Sequence, residues 1–144
     1  MIAIVGSGKF TNYLIKNMES KNYLLISGTK NKNPNVVNVD KNLKNINKIK
    51  LSSDISHCII NWSHTFINKF SKFSDSILGF ERISDFIINN PKVNYIFISS
   101  TSASLEVNKY SLYGLSKYIA ENILKKIKEF NPKINIHILR PGMI

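Results

Sequence analysis

The sequence predicts an α/β fold, a doubly wound parallel sheet of about six strands between two helical layers. Three observations carry that prediction. Short apolar runs alternate along the chain with amphipathic stretches of roughly 10–20 residues, the order expected of βαβ units. The first run closes on a glycine turn, Gly6-Ser7-Gly8, that opens the first amphipathic stretch. The 144 residues are 43% hydrophobic, which suits one core rather than two, so residues 1–144 are expected to form a single domain.

Ile2–Val5 reads as a buried strand because four apolar residues run straight into Gly6. Lys9–Ser20 follows as a helix, with Phe10, Tyr13, Leu14 and Met18 at helical spacing. Tyr23–Ser27 is the second strand, closed by Gly28, and Val36–Val39 a weak third with Asp40 at its end. Leu43, Ile46, Ile49 and Lys50 suggest a short helix before the fourth strand, His57–Asn61. Ser63–Ser76 carries the least pattern and is expected to be a loop or irregular helix. Ser76–Asn90 is amphipathic through Ile77, Phe80, Ile83, Phe86 and Ile87, and Asn89-Asn90-Pro91 stops it. Val93–Ser99 is the fifth strand. Ser111–Phe130 is the longest helix, expected to turn Leu112, Leu115, Ile119, Ile123 and Ile127 inward, and Ile134–Leu139 is the sixth strand.

Composition removes several function classes. No apolar run approaches the roughly 20 residues of a membrane span. Met1–Val5 lacks the basic start of a signal peptide. A single Cys58 excludes an intrachain disulfide and a Cys-based zinc site, and together these features lead to an expected cytoplasmic setting. His57, His64 and His137 are scattered, so no metal site is expected, and His137 reads as a structural strand residue. No G-x-S-x-G elbow is present for a hydrolase. The net charge of +11 rests on 18 Lys and only 2 Arg, with Asn and Ile also abundant, so A/T-rich codon usage accounts for much of it. Aromatics are not interleaved with the lysines and Arg is nearly absent, which argues against nucleic acid as the partner. An anionic small ligand, a dinucleotide or nucleotide sugar, uses the same charge.

Glycines between a strand and a helix allow a tight turn and close approach of backbone to a pyrophosphate, with the helix N-terminus facing the phosphates. Gly6-Ser7-Gly8-Lys9-Phe10 has that placement, although Thr11 stands where a third glycine would allow the closest helix–strand packing. A phosphate-cradling P-loop is excluded because Ala3 and Phe10 occupy positions where it needs Gly and Ser or Thr. After the second strand, Ser27-Gly28-Thr29-Lys30-Asn31-Lys32 offers no acid for a ribose hydroxyl but two lysines for a 2′-phosphate, so NADP is favoured over NAD. Further along, Tyr95-Ile96-Phe97-Ile98-Ser99-Ser100-Thr101 ends a strand in hydroxyls, and Tyr113 and Lys117 lie four apart on one helix face. An ammonium one turn from a phenol stabilises its phenolate, which suits the phenol to proton exchange with an alcohol or carbonyl.

These residues resemble the short-chain dehydrogenase/reductase family. The glycine loop, the Ile98-Ser99-Ser100 strand end, the Tyr113–Lys117 pair and Leu139-Arg140-Pro141-Gly142 look like its nucleotide-sugar epimerase/dehydratase branch. The resemblance implies a Rossmann domain that binds NADP or NAD. It implies Tyr113 as acid/base, Lys117 as its pKa modifier and ribose contact, and Ser100 as the group that orients substrate, with Thr101 as the fallback. Gly6, Ser7, Gly8, Lys9, Phe10, Lys30, Asp40, Asn61, Lys117, Pro141 and Gly142 are the expected cofactor contacts. A small-molecule substrate, a nucleotide sugar among the candidates, and a homodimer are the expected partners. The family's substrate-binding part would lie beyond Ile144, so this stretch alone is expected to be poorly active.

Two departures matter. The fourth strand ends Asn61-Trp62, where the family has small residues, so Trp62 crowds the cofactor unless it turns away. Thr11 is expected to hold the first helix slightly off the sheet. Both keep a second reading open, a catalytically degenerate module that binds or senses NAD(P). The third reading is a basic nucleic-acid-binding protein that shares only the fold.

Overall fold

The computed structural model describes residues 1–29, 32, 34–62, 67, 69–104 and 111–141. The elements run β1 (Ile2–Val5), α1 (Lys9–Asn17), β2 (Tyr23–Ser27), β3 (Val36–Asn38), β4 (His57–Ile60), α2 (Phe70–Asn89), β5 (Asn94–Ile98), α3 (Leu112–Phe130) and β6 (Ile136–Leu139). Single 3₁₀ turns stand at Lys41–Leu43, Ile46–Lys48 and Thr101–Ser104. The six strands form one sheet in the order β3-β2-β1-β4-β5-β6, with every pairing parallel. The α/β doubly wound architecture is therefore present. Chain order diverges on either side of β1, and a sheet wound this way opens a crevice at the carboxyl ends of β1 and β4.

The two faces of the sheet are unequal. Ala3, Val5, Ile26, Cys58, Ile60, Tyr95 and Phe97 point to the side covered by α2, α3 and the turns after β3. Phe80 meets Phe97 edge-on at 5.3 Å and Phe86 meets Tyr95 at 6.4 Å, so α2 grips the middle of the sheet through aromatic pairs. On the other face Ile4, Tyr23 and Leu25 pack under α1 through Leu14, Ile15 and Met18. Beyond α1, among the described residues, no helix covers β4–β6, and His57, His137 and Leu139 are exposed there.

The helix stop read at Asn89-Asn90-Pro91 has a physical basis. The Asn90 side chain donates to the carbonyls of Phe86 at 2.9 Å and Ile49 at 3.1 Å, and accepts from the Leu51 N–H at 2.8 Å. It caps α2 and binds the segment before β4 to it in one step.

Several expectations are corrected. Helix α2 begins at Phe70, six residues before the predicted start; its first turns are polar or exposed, with Phe70 75% exposed, so no apolar stripe marks them. The short helix expected near Leu43–Lys50 is two 3₁₀ turns instead. Of the residues expected to face inward on α3, Ile127 is buried and Ile123 packs partly buried against the core, but the rest of the buried face is Gly114, Ser116, Lys117, Ala120, Glu121 and Leu124 rather than Leu112, Leu115 and Ile119. Two ionisable residues in the buried face hide it from a hydrophobicity pattern. His137 lies in β6 as expected, but with its side chain in the open.

Candidate functional site

A cleft of about 460 Å³ opens at the carboxyl ends of β1, β2 and β4. Gly6, Ser7, Gly8, Lys9 and Phe10 line it together with Gly28, Thr29, Lys41, Asn42, Asn61, Trp62 and Tyr113. The glycine loop and the helix that carries Tyr113 thus meet in one hollow. A slightly larger one, about 540 Å³, lies at the opposite strand ends near Met1 and His57. Ligands of open parallel sheets bind at the carboxyl ends, which favours the first.

Gly6 leaves β1 with φ +100, a conformation that side chains rarely adopt, and a Cβ there would run into the carbonyl oxygen of Asn61. Its N–H is already spent on Ile26 O at 2.9 Å. Gly8 then caps α1 without a side-chain bond, and the first turn of α1 holds no acid. Its leading N–H groups have no partner within the helix, the arrangement that accepts an anion. Behind the loop, Ser7 Oγ and Thr29 Oγ1 lie 3.0 Å apart, and Thr29 Oγ1 lies 3.1 Å from Ser27 Oγ, so three hydroxyls tie the glycine turn to the end of β2.

Thr11, in the place of a third glycine, is fully buried, and its Oγ1 accepts from Asn61 Nδ2 at 3.0 Å. The side chain expected to hold α1 off the sheet is instead bonded to the end of β4. Asn61 lines the cleft and serves as the anchor of that bond.

Trp62 lines the cleft with its indole docked on α2. Its Nε1 donates to Ser76 O at 3.2 Å, and its indole lies against Gly79 of α2. A Cβ on Gly79 would stand 2.5 Å from Trp62 Cζ2, so Gly79 is what lets the indole dock. Gly79→Ala is expected to push the indole out and cost about 1–3 kcal/mol. Trp62 is the only tryptophan, so a red shift of its emission together with a lower urea midpoint checks this directly.

After β3 the chain makes a strained turn, with Asn42 at φ 56 and Leu43 at φ 60. Leu43 is fully buried and Arg82 Nη1 donates to Asn42 O at 2.7 Å, so α2 holds the turn in place. That turn presents Lys41 to the cleft. Asp40 stands beside it with an exposed carboxylate that accepts from Asn45 Nδ2 at 2.6 Å, outside the cleft lining.

Tyr113 and Lys117 share the inner face of α3, whose N-cap Ser111 accepts the Gly114 N–H at 3.0 Å. Lys117 Nζ is 5.8 Å from the Tyr113 ring centre and 5.0 Å from that of Phe97. It is 2% exposed and donates to Ile98 O at 2.8 Å and Trp62 O at 3.3 Å. Burial lowers its pKa from an ordinary 10.5 to about 8, with Glu121 offsetting part of the loss. Because the folded value lies below the unfolded one, keeping the ammonium buried costs stability below about pH 8. That cost disappears as pH rises toward 10.5, a change of about 3 kcal/mol. Urea unfolding of wild type and Lys117→Met across this range is expected to show the difference move in the wild type's favour by that amount as pH rises.

Ser100 is half-buried, and its Oγ accepts the Ser102 N–H at 3.1 Å, opening the Thr101–Ser104 turn. It does not line the cleft with Tyr113, but its turn sits on the start of α3: a Cβ on Gly114 would be 3.0 Å from Ser102 O. Ser99 is not available as a substitute hydroxyl, because it is buried and donates to Glu121 Oε1 at 2.5 Å. Pro141 is exposed after β6. Lys30 and Gly142 lie outside the described residues, and Lys32 is exposed without lining the cleft. Lys41, Asn42, Thr29 and Glu121 escaped the sequence reading. Glu121 could have been found as the i+4 neighbour of Lys117.

No family model matches the chain, and no curated protein matches it in sequence. Solved structures do match. UDP-N-acetylglucosamine 4-epimerase from Bacillus cereus aligns at TM-score 0.68 and 17% identity, over 97% of this chain and 53% of that one. UDP-glucuronic acid 4-epimerase from the same organism, in complex with NAD, aligns at 0.66 and 17%, over 99% and 57%. A short-chain dehydrogenase/reductase from Vibrio parahaemolyticus aligns at 0.69 and 17%, over 99% and 84%. The chain spans about half the length of these epimerases. The likeness is one of fold: the chain has the Rossmann fold that short-chain dehydrogenase/reductase and UDP-sugar 4-epimerase structures share.

Proposed function

We propose that the chain is the NAD(P)-binding domain of a short-chain dehydrogenase/reductase of the nucleotide-sugar epimerase/dehydratase kind, with Tyr113 as its acid/base. The observation that carries this reading is the single cleft in which the glycine loop and Tyr113 face each other. The cleft suits a dinucleotide. Gly6 leaves a cradle that a Cβ would fill, α1 opens with N–H groups that have no partner within the helix, and Ser7 and Thr29 offer hydroxyls at its rim. When bound, a nicotinamide would supply the hydride acceptor. The chain's own part is proton transfer and positioning: the Tyr113 phenolate takes the hydroxyl proton of a substrate alcohol, or its phenol returns one to a carbonyl. Lys117, fixed on two backbone carbonyls, holds a positive charge beside that phenol. Ser100 orients the substrate oxygen from the neighbouring strand end.

In this reading Lys41 is the cation that meets a 2′-phosphate, joining or replacing the role foreseen for Lys30, and NADPH is preferred to NADH. Calorimetric titration is expected to show Lys41→Glu weakening NADPH at least about tenfold while changing NADH little; losing one charge-assisted contact is worth roughly 1.5–3 kcal/mol. Equal affinity of the wild type for both cofactors would remove the 2′-phosphate site, and binding of neither would end the cofactor reading.

One observation favours the second reading, a module that binds the dinucleotide without turnover. The Lys117 ammonium is spent on Ile98 O and Trp62 O rather than left open to the cleft. Cofactor binding without UDP-sugar conversion, assayed as product formed by a protein that carries the substrate-binding part, would decide for it.

A further inference from the structure

Glu121 is 1% exposed, and its carboxylate gathers three bonds from two other elements. Ser99 Oγ, just past β5, donates to Oε1 at 2.5 Å. Arg140, just past β6, donates through Nε to Oε1 at 2.8 Å and through Nη2 to Oε2 at 2.6 Å, a two-pronged clamp. One turn earlier on the same helix face, Lys117 Nζ holds Ile98 O. Two successive residues of the β5 end, Ile98 and Ser99, are thus pinned to α3 by Lys117 and Glu121, and Ser100 follows at once. A buried ion pair is seldom a net source of stability, so packing alone gives little reason for a carboxylate here. Its place beside Lys117 gives one.

We propose that Glu121, clamped by Arg140 and Ser99, is a positioning residue that keeps Lys117 a cation on the β5 end, facing Tyr113. The inference rests on the reading of Lys117 as Tyr113's partner. Among the described residues, the groups that face Lys117 are Tyr113 and Glu121 from its own helix, the Phe97 ring and Ile98 carbonyl from β5, and the Trp62 carbonyl after β4. Glu121 in turn faces Arg140 and the charge of Lys125. Burial works to raise its pKa, but the bonds from Arg140 and Ser99 and the charges of Arg140 and Lys125 outweigh it and hold the group ionised. That negative charge opposes the desolvation of Lys117.

The test follows the ε-carbon of Lys117 by ¹³C NMR through a pH titration of the whole chain, with Lys117→Met to assign the signal. The wild-type midpoint is expected near about 8. Glu121→Gln keeps the shape and removes the charge, and the midpoint is expected to fall by about one unit. Arg140→Leu removes the bonds and charge that hold Glu121 ionised against burial and should lower the midpoint too, and Arg140→Lys should restore the wild-type value although it cannot form the two-pronged clamp. A role confined to packing predicts otherwise: loosening admits water and moves Glu121→Gln and both Arg140 variants toward 10.5 alike. That outcome, or an unmoved midpoint in Glu121→Gln, overturns the proposal. If Glu121→Gln does not fold, the Arg140 pair decides, and failure of Arg140→Lys to restore the midpoint overturns it. The titration needs neither cofactor nor turnover. Should it behave as stated while NADPH fails to bind, the placement of Lys117 stands and only the cofactor reading falls.

Discussion

In a protein that carries the substrate-binding part, Tyr113→Phe is expected to lower UDP-sugar turnover by about 10²–10⁴-fold while leaving NADPH affinity within a factor of about two. The change removes one oxygen and keeps the ring that lines the cleft and faces the Lys117 ammonium. The lost oxygen is the group that would exchange the substrate proton. Other hydroxyls near the β5 end do not replace it. Ser99 is closed off by Glu121, and Ser100 does not line the cleft that Tyr113 lines. Lys117→Met should differ from it, weakening cofactor binding as well, because the carbonyls of Ile98 and Trp62 lose their donor and Trp62 lines the cleft. The pairing of a rate measurement with a binding titration separates the two variants. Wild-type turnover in Tyr113→Phe would remove Tyr113 from the chemistry.

What could be read from the sequence divides along physical lines. The strands were legible because a parallel sheet buries both faces of its central strands. Ala3-Ile4-Val5 and Leu25-Ile26 therefore appear as unbroken apolar runs. Tyr113 and Lys117 were legible because i and i+4 share a helix face whatever the tertiary context. The failures lie where one residue's meaning depends on a distant partner. Thr11 reads as an obstacle until Asn61, fifty positions on, is found to bond it. Trp62 reads as an intruder until Gly79 makes room for it. Lys117 and Glu121 read as surface residues by type, yet backbone carbonyls and Arg140 let both be buried, and the apolar stripe assigned to α3 rotated accordingly. Lys41 was missed because its place in the cleft comes from a left-handed turn at Asn42 and Leu43 that Arg82 holds from another helix. No local pattern announces such a turn when neither residue is glycine.

Gly6→Val is expected to be the most damaging single substitution for both fold and binding. Two costs act together at this position. A φ of +100 is accessible to glycine but strained by about 1–2 kcal/mol or more for a side chain with a Cβ, and most of all for a β-branched one. The added Cβ would also overlap the carbonyl oxygen of Asn61, which is backbone and cannot swing away. To relieve the overlap, β1 and β4 must separate at the point where the Asn61 N–H bonds Val5 O at 2.9 Å and the Gly6 N–H bonds Ile26 O at 2.9 Å. Overpacking of this kind adds about 1–3 kcal/mol, so the total is roughly 2–5 kcal/mol against the 5–15 kcal/mol that typically holds a domain together. The same shift would carry Asn61 away from Thr11 and turn the α1 N-terminus off the cleft, so NADPH affinity should disappear even in the fraction that folds. Gly8→Ala is the control. A Cβ at Gly8 meets only Asn61 Nδ2 at 3.8 Å, an ordinary contact, and its backbone is extended, so stability should change by less than about 1 kcal/mol. Urea unfolding with NADPH titration on both variants makes the comparison. A Gly6→Val protein as stable as Gly8→Ala would mean that the glycine turn does not set the joint between β1 and β4.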